Sequence, residues 1–402
     1  MFIKLKQLNL LIMKNFINIC LILSIATVSF SQKNAEQESI NKFSFKIFEQ
    51  LYIKGDNCFF SPYSIFGALS MTYAGAADNT KTDMEKTLGI TDNTIVHSGF
   101  KEITNSIMQN KEIQFLSSNS LWLQKNFKLE KEYTKLVEEN YLAKCKNVDY
   151  KDETDREKAR KEINTWVDKQ TKGNITDFIK PGILSESTAM VLINAVYFKA
   201  IWQSEFSPQN TKNAKFLAVI GDSIDCKMMN NELKTNYFED NLAQVIEIPY
   251  ESNKSSMIVI LPKDSAKSDL KQFGSAYLNK FYQHLELVDV NLSLPSFKME
   301  VEYELSDALK KMGMKSAFDP GANFSGITGQ KDLIVTNVLH KSIIDVSEKG
   351  TEASSTTAVI SMRSTSINKK PIVFKADHPF IFFIKDRGTG VIIFMGYLAQ
   401  PK

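Results

Sequence analysis

Apolar residues recur at helical spacing near residue 40. They lie three or four positions apart, so they share one side of a helix, and they predict an amphipathic helix: Ile40, Phe43, Ile47, Phe48 and Leu51. Ser61 followed by Pro62 is typical of an N-cap and a first-turn proline. The pattern therefore predicts a second, buried helix that begins at Pro62.

Two further helices are indicated by their ends. Thr80 with Asp83 predicts the start of a short helix, which Gly89 ends. The sequence Thr-Asp-Arg-Glu at residues 154–157 is typical of a capping box, and Gly173 lies where a C-terminal cap is expected. The apolar stripe of this last helix consists of Ile163, Trp166 and Val167.

Short apolar runs indicate β-strands from residue 191 onward. Such runs are typical of buried strands, and the last two flank a turn-rich loop and predict a hairpin: residues 191–198, 257–261, 334–339, 380–384 and 391–395. Because helices dominate the first half and strands the second, the chain predicts an α+β fold. The length allows two or three domains, but no linker rich in proline, glycine or serine divides the chain.

Residues 350–359 combine small and β-branched side chains with one charge, Glu352. Alternate residues of an extended chain share one face, and one face here carries only small side chains: Thr351, Ala353, Ser355 and Thr357. Gly350 precedes them and can act as a hinge, because glycine tolerates backbone angles that other residues do not. The pattern predicts a loop that is able to become a strand; a flexible Ser/Thr linker is the alternative.

Several motifs, in a fixed order, resemble those of the serpin family. Residues 348–359 are similar to its E-x-G-T-E-A-A-x-x-T stretch, and residues 376–380 to its A-D-H-P-F sequence. Residues 194–199 with Trp202 resemble N-A-x-Y-F-K-G-x-W. The other matching segments are 61–65, 163–175 and 247–250. The resemblance covers nearly all of the chain after about residue 37, and the order of the motifs makes it specific.

The resemblance implies a single domain over residues 32–402, with three β-sheets, about nine helices and a reactive loop at about 348–370. It also implies a monomer whose partner is a serine protease. The protease would cleave the loop as a substrate, and the freed loop would insert into the main sheet and trap the acyl-enzyme. We expect the hinge to be exposed before cleavage; it consists of Glu348, Gly350, Thr351, Glu352, Ala353, Ser355 and Thr357.

Two bonds are candidates for cleavage. Serpins usually place the residue before the cut fourteen positions after the hinge glycine, which gives the bond between Ser364 and Thr365. This bond suits a protease that prefers small residues, such as an elastase- or subtilisin-like enzyme. The bond one position earlier, between Arg363 and Ser364, suits a trypsin-like enzyme. Two other functions also stay open: a non-inhibitory storage protein, carrier or chaperone, and an inhibitor of a papain-like cysteine protease.

The resemblance also assigns a polar cluster that controls whether the main sheet opens. Its members lie beneath the central strands in serpins: Ser61, Ser64, Asn194 and His340. Asn194 interrupts one apolar run and His340 closes another, so both must be hydrogen-bonded if they are buried.

A second group of positions matches the place where the loop enters the sheet, and here the chain departs from the family pattern. Trp202 and Glu348 match the family. Ser296 replaces the basic residue that usually pairs with the hinge glutamate, and Lys298 is the substitute we consider. Ala200 replaces the usual glycine.

Residues 1–31 are typical of a signal peptide. Lys14 precedes an apolar run that ends in small residues before a cleavage site after Ser31, and Met13 is an alternative start. Cleavage removes three lysines and no acid, so 49 basic residues become 46, equal to the 46 acidic ones. A neutral mature chain argues against nucleic acid as a partner. We therefore expect a secreted protein, extracellular or periplasmic, with no membrane anchor in its mature form.

The sequence contains no recognisable catalytic or cofactor motif. It lacks a G-x-S-x-G elbow, an H-E-x-x-H helix, a phosphate loop and paired C-x-x-C. Asp377 and His378 are adjacent, but neighbours on a strand point to opposite faces, so we expect no catalytic pair. Cys58, Cys145 and Cys226 are widely spaced and odd in number, which predicts buried thiols. We expect no enzymatic activity, no cofactor and no metal.

Overall fold

The computed structural model describes residues 35–110, 113–219, 221, 223–264, 270–351 and 370–401. The predicted signal peptide, residues 1–31, lies outside them. So do the predicted cleavage positions and the later part of the predicted hinge: Arg363, Ser364, Thr365, Glu352, Ala353, Ser355 and Thr357.

Nine α-helices occur within these described ranges, as predicted. They are α1 (35–51), α2 (Pro62–Tyr73), α3 (Asp78–Leu88), α4 (Val96–Met108), α5 (Lys131–Tyr141), α6 (Glu153–Gln170), α7 (Ser275–His284), α8 (Ser306–Lys311) and α9 (Ser325–Thr328). Single 3₁₀ turns cover Pro208–Asn210, Leu270–Phe273 and Ser316–Phe318. None of the helices in the described part of the chain is long and apolar enough to cross a membrane.

The helix ends test the predicted caps. The Ser61 hydroxyl accepts a hydrogen bond from the Ser64 N–H and Pro62 follows it, as predicted for α2. Two predicted starts are wrong. Helix α3 begins at Asp78, because Thr80 faces inward and accepts the Asn323 N–H instead. Helix α6 is capped by Asp152, whose carboxylate accepts the N–H groups of residues 154 and 155.

Fifteen strands are present in the described residues. They are β1 (Cys58–Phe60), β2 (Gln114–Gln124), β3 (Lys144–Val148), β4 (Met190–Ile201), β5 (Lys212–Leu217), β6 (Ser223–Glu239), β7 (Ala243–Pro249), β8 (Ser255–Pro262), β9 (Glu286–Pro295), β10 (Phe297–Glu304), β11 (Asn337–Ser347), β12 (Gly350–Thr351), β13 (Ile372–Lys375), β14 (Phe380–Asp386) and β15 (Ile392–Leu398). The predicted run at 334–339 overlaps β11, but the strand begins only at Asn337. The predicted hairpin is confirmed, since β14 and β15 pair antiparallel.

These strands form two hydrogen-bonded sheets, so the prediction of three separate sheets is not confirmed. The larger has the order β1-β15-β14-β8-β7-β6-β9-β13, with β5 added beside β6. Strand β6 is the reason for the difference. It pairs with β5 near its start, with β7 at its end and with β9 along most of its length, and so joins what would otherwise be two sheets.

The smaller sheet has the order β10-β11-β12-β4-β2-β3, and its two faces pack differently. One face lies against the main core, which includes α2, a helix buried along its whole length. The other face is covered by α6, with which residues of both β4 and β11 form a second apolar cluster. Helix α6 itself contacts β2 and β3, and the cluster extends from there to residues of β4 and β11.

The cysteine prediction is confirmed only for Cys58. All three thiols are free, but Cys145 and Cys226 are only partly buried, because they lie on strands with one face towards solvent.

Candidate functional site

The first two residues of the predicted loop already lie inside the smaller sheet. Strand β12 is the hinge pair, Gly350 and Thr351. It runs antiparallel to both neighbours: Thr351 faces Val346 of β11 and Ala200 of β4. The Thr351 side chain is fully buried. The expectation that the whole hinge is exposed before cleavage is therefore wrong for this pair.

Beyond the hinge pair, β4 and β11 contact each other directly. Residues 191–197 of β4 and 337–343 of β11 form a parallel ladder, which we call the seam. Both strands run in the same direction, and β12 is wedged between their ends like the first residues of a new strand. The seam is thus the place where a longer insertion would have to open the sheet.

Gly350 is required by the close approach of β4. Its φ is +154°, and a Cβ at this position would lie 2.1 Å from the Ala200 carbonyl oxygen and 2.7 Å from the Ile201 Cα. Both are backbone atoms, which cannot rotate away. The sequence predicts that Gly350 is a flexible hinge, and the structure gives it a second role as a spacer.

Aromatic side chains support the hinge pair from the core. The Trp202 and Tyr250 rings are stacked, with centroids 4.6 Å apart and planes within 6°. The Tyr250 hydroxyl lies 2.8 Å from the Thr351 hydroxyl. The Trp202 indole N–H donates to the Ser347 carbonyl, and its backbone N–H donates to the Lys349 carbonyl. The structure therefore places Trp202 at the loop's point of entrance, as the resemblance implies.

Glu348 is held by hydrogen bonds. Its carboxylate accepts the Thr211 hydroxyl at 2.8 Å, and its carbonyl accepts the Phe206 N–H. Within the described residues Glu348 has no ion pair, and Lys298, the proposed substitute, lies opposite Asp345 on β11. The missing basic partner is thus replaced by a neutral hydroxyl.

A buried chain of hydrogen bonds crosses the seam. The Ser61 N–H donates to His340 Nε2 at 3.1 Å, so Nε2 carries the lone pair and Nδ1 the proton. Nδ1 then donates to Asn194 Oδ1 at 2.5 Å, and the Asn194 amide donates to Asn119 Oδ1. Burial lowers the pKa of His340 to about 3. The imidazole is therefore neutral at ordinary pH and is held in one tautomer.

The two serines have different partners. The Ser61 hydroxyl donates to the Ile393 carbonyl and accepts the Ser64 N–H. The Ser64 hydroxyl pairs with Ser117 on β2 at 2.7 Å, not with Asn194 or His340. The structure thus brings Ser61, Asn194 and His340 into one network, with Ser64 beside it.

Asp377 and His378 do contact each other, against expectation. Residues 376–379 lie between β13 and β14, outside any strand, so the two side chains need not point apart. His378 Nδ1 lies 2.9 Å from Asp377 Oδ1, and Nε2 lies 2.7 Å from the Pro262 carbonyl oxygen. Both ring nitrogens are used in contacts within the protein, which is a structural arrangement and offers no base to a substrate.

Comparison with known proteins identifies the family. The family model described as serpin, serine protease inhibitor, matches residues 38–401. The chain belongs to the serpin family. That description is of protease inhibitors and not of catalysts.

Relatives and solved structures match over most of their length. An uncharacterised serpin-like protein of Thermococcus kodakarensis is 39% identical over 376 residues, 92% of this chain and 87% of the relative. The leukocyte elastase inhibitor of Bos taurus is 35% identical, covering 86% of this chain and 93% of its own. A highly specific serpin of Tenebrio molitor has a TM-score of 0.80 at 31% sequence identity, and the match covers 91% of this chain and 98% of the Tenebrio chain. Human thyroxine-binding globulin complexed with thyroxine has a TM-score of 0.84 at 27% sequence identity, and the match covers 92% of this chain and 100% of the globulin chain.

Sequence reasoning missed three residues of this serpin's candidate site. Asn119 and Ser117 belong to a polar run within β2, which could have indicated buried polar groups, although their partners depend on strand register. Tyr250 belongs to one of the motifs that resemble the family, and nothing in its sequence context indicates its contact with Thr351.

Proposed function

We propose that this serpin is a secreted inhibitor that traps a serine protease as a suicide substrate. The protease serine oxygen attacks the carbonyl carbon of the residue before the cut and forms an ester. The peptide C–N bond breaks, and the amine leaves as a new N-terminus. Water would normally hydrolyse the ester. Insertion of the freed loop into the smaller sheet must distort the protease before that step, so inhibition is a race between insertion and hydrolysis.

The hinge pair is the observation that carries this proposal. It already pairs antiparallel with both β4 and β11, ahead of a seam in which those strands pair parallel. Continued insertion would replace one parallel ladder with two antiparallel ladders, which are slightly more stable per residue. Strand addition to a sheet is a known mode of recognition and switching, and serpin loop insertion is one of its standard examples.

The residues that would follow the hinge pair suit the same process. In the sequence Ala353, Ser355 and Thr357 alternate with Thr351 and are small and uncharged. Burying a charge in their place would be costly unless it were paired. This composition favours an inhibitor over a non-inhibitory serpin, although thyroxine-binding globulin and ovalbumin are among the structural neighbours.

A protease panel tests the proposal. The protein is incubated with elastase-, subtilisin-, trypsin- and papain-like enzymes, and the products are analysed on denaturing gels and by mass spectrometry. We expect a denaturant-resistant 1:1 complex with a serine protease and a released peptide that begins at Thr365 or Ser364. The same protease with its active-site serine blocked is the control and should give no complex.

Other outcomes identify the alternatives. Cleavage without trapping by every enzyme would favour a non-inhibitory serpin, and trapping of the papain-like enzyme alone would favour a cysteine protease target. A peptide that starts before Ser361 or after Ser366 would show that the assigned register is wrong. The proposed secretion predicts a mature N-terminus at Gln32, which N-terminal sequencing of the exported protein tests.

A further inference from the structure

We propose that Tyr250 is a positioning residue that holds Thr351 in the sheet, so that insertion starts from a formed nucleus in a fixed register. The inference rests on the proposed function and concerns the same site. It is carried by one contact, the 2.8 Å hydrogen bond between the Tyr250 and Thr351 hydroxyls.

The Tyr250 ring is held firmly in place. It stacks on Trp202 and packs edge to face on Phe198, with centroids 5.4 Å apart. Its backbone N–H donates to the Ser255 carbonyl. Both Tyr250 and Thr351 are fully buried. A rigid ring presents its hydroxyl at one point, so it can specify where Thr351 lies.

The hydroxyl pair favours the inserted position of Thr351 over the expelled one. In the described structure the two hydroxyls are hydrogen-bonded to each other, and a buried hydroxyl without a partner is costly. The first residues of a new strand form few hydrogen bonds, while fixing them costs conformational entropy. A hinge pair that is already in the sheet therefore removes the slowest step of insertion.

Holding Thr351 also sets the register of everything that follows. A slip of one residue would exchange the two faces of the inserted strand. In an extended strand Glu352, which follows Thr351 in the sequence, would lie on the opposite face from Thr351. A slip would therefore turn a charge towards the core instead of a small side chain, and Tyr250 selects against it.

The test removes one hydroxyl. Tyr250→Phe keeps the ring and its stacking, and Thr351→Val keeps the shape of the threonine. Tyr63→Phe is the matched control, because Tyr63 is also buried and pairs with a threonine hydroxyl, Thr104, at 2.6 Å. Hydrogen exchange of residues 345–351 in the uncleaved protein measures whether the hinge pair is held. Titration of the protease measures the ratio of cleaved to trapped inhibitor.

We expect faster exchange of the hinge amides in Tyr250→Phe and Thr351→Val, and a roughly 2- to 10-fold rise in the cleaved-to-trapped ratio. The double variant should resemble either single one, because both remove the same bond. Tyr63→Phe should change neither measurement. Hinge exchange that stays at the parent's rate would overturn the inference, and so would loosened hinge amides with an unchanged ratio.

Failure of the proposed function gives a different result. If the parent is cleaved but never traps a protease, the inhibitor proposal fails. The rate at which the cleaved loop inserts, followed by the rise in unfolding temperature, then decides the role of Tyr250. A slower rise in Tyr250→Phe than in Tyr63→Phe supports the inference, and equal rates overturn it.

Discussion

Replacing Thr351 by arginine tests whether the buried hinge pair starts the insertion. Thr351 is fully buried between β4 and β11, so Thr351→Arg would place a charge inside the sheet. Leaving an unpaired charge buried costs about 3–5 kcal/mol. Expelling the hinge pair loses the hydroxyl bond to Tyr250 and a few backbone hydrogen bonds, about 1 kcal/mol each and roughly 3 kcal/mol in all. Expulsion therefore costs less than burying the charge, and the expelled arginine can also reach solvent. We expect the hinge pair of Thr351→Arg to leave the sheet.

Expulsion has two measurable consequences. The free energy of unfolding of the uncleaved variant should be roughly 3 kcal/mol below that of the parent, because the variant lacks those bonds. The cleaved loop should insert too slowly, so that the protease completes hydrolysis and releases an inhibitor cut at the parent's bond. Denaturing gels and titration measure trapping, and thermal unfolding before and after cleavage measures insertion.

A conservative variant separates charge from simple change of side chain. Thr351→Ser keeps the hydroxyl for Tyr250 and adds no charge, so it should trap protease almost as the parent does. If Thr351→Arg traps with the parent's stoichiometry, insertion from Thr351 is not the inhibitory step and the mechanism is refuted.

Four further substitutions test other parts of the site and fold. Asn194→Ala and His340→Ala should each lower the free energy of unfolding by about 1–3 kcal/mol, since each leaves buried partners without a hydrogen bond. Both variant proteins should polymerise or convert to an inactive inserted form on mild heating. If both variants unfold and inhibit like the parent, the cluster does not have this role. Gly350→Ala should expel the hinge pair, because its Cβ would meet the Ala200 carbonyl, and unchanged hinge exchange would count against that close approach. Burial raises the pKa of Glu36 from 4.5 to about 8. The unfolded chain therefore releases this proton at a lower pH than the folded protein does, and the free energy of unfolding falls as the pH rises from 4.5 to about 8. Glu36→Gln should remove this fall, which urea unfolding at pH 5 and at pH 8 measures. A variant with the parent's pH dependence would be evidence against the raised pKa of Glu36.

Local signals in the sequence predicted the parts of the fold that depend on neighbouring residues. Ser61 and Pro62 mark the start of α2 because the cap needs only a hydroxyl and a proline one position later. The cap of α6 was assigned two positions too late, since Asp152 and Thr154 can both accept N–H groups there and the path of the incoming chain decides between them. Apolar runs located β4, β8, β14 and β15 for the same local reason.

Features that depend on strand register could not be predicted in this way. The partner of Asn194 is Asn119, 75 residues away, and they meet only because β2 and β4 pair with these residues opposite each other. The burial of Thr351 depends on β4 and β11 separating at their ends, and their separation has no signal in either strand. The joining of two expected sheets through β6 likewise follows from the length of its pairing with β9.

The hinge pair and the polar cluster lie at different positions along β4 and β11, and the register of the hinge pair connects them. Thr351 faces Ala200 on β4 and Val346 on β11. Six residues beyond Thr351 is Thr357, six before Ala200 is Asn194, and six before Val346 is His340. If the inserted strand keeps this register, Thr357 arrives between Asn194 and His340, on the same face as Thr351. Opening the seam must break the bond between those two side chains, because a strand separates them by about a further 4.8 Å. A threonine hydroxyl at this point can donate to one and accept from the other. Under the proposed function, the polar cluster would then resist opening before cleavage and would regain its hydrogen bonds after insertion, so the same residues would act as a barrier in one state and as a binding site in the other.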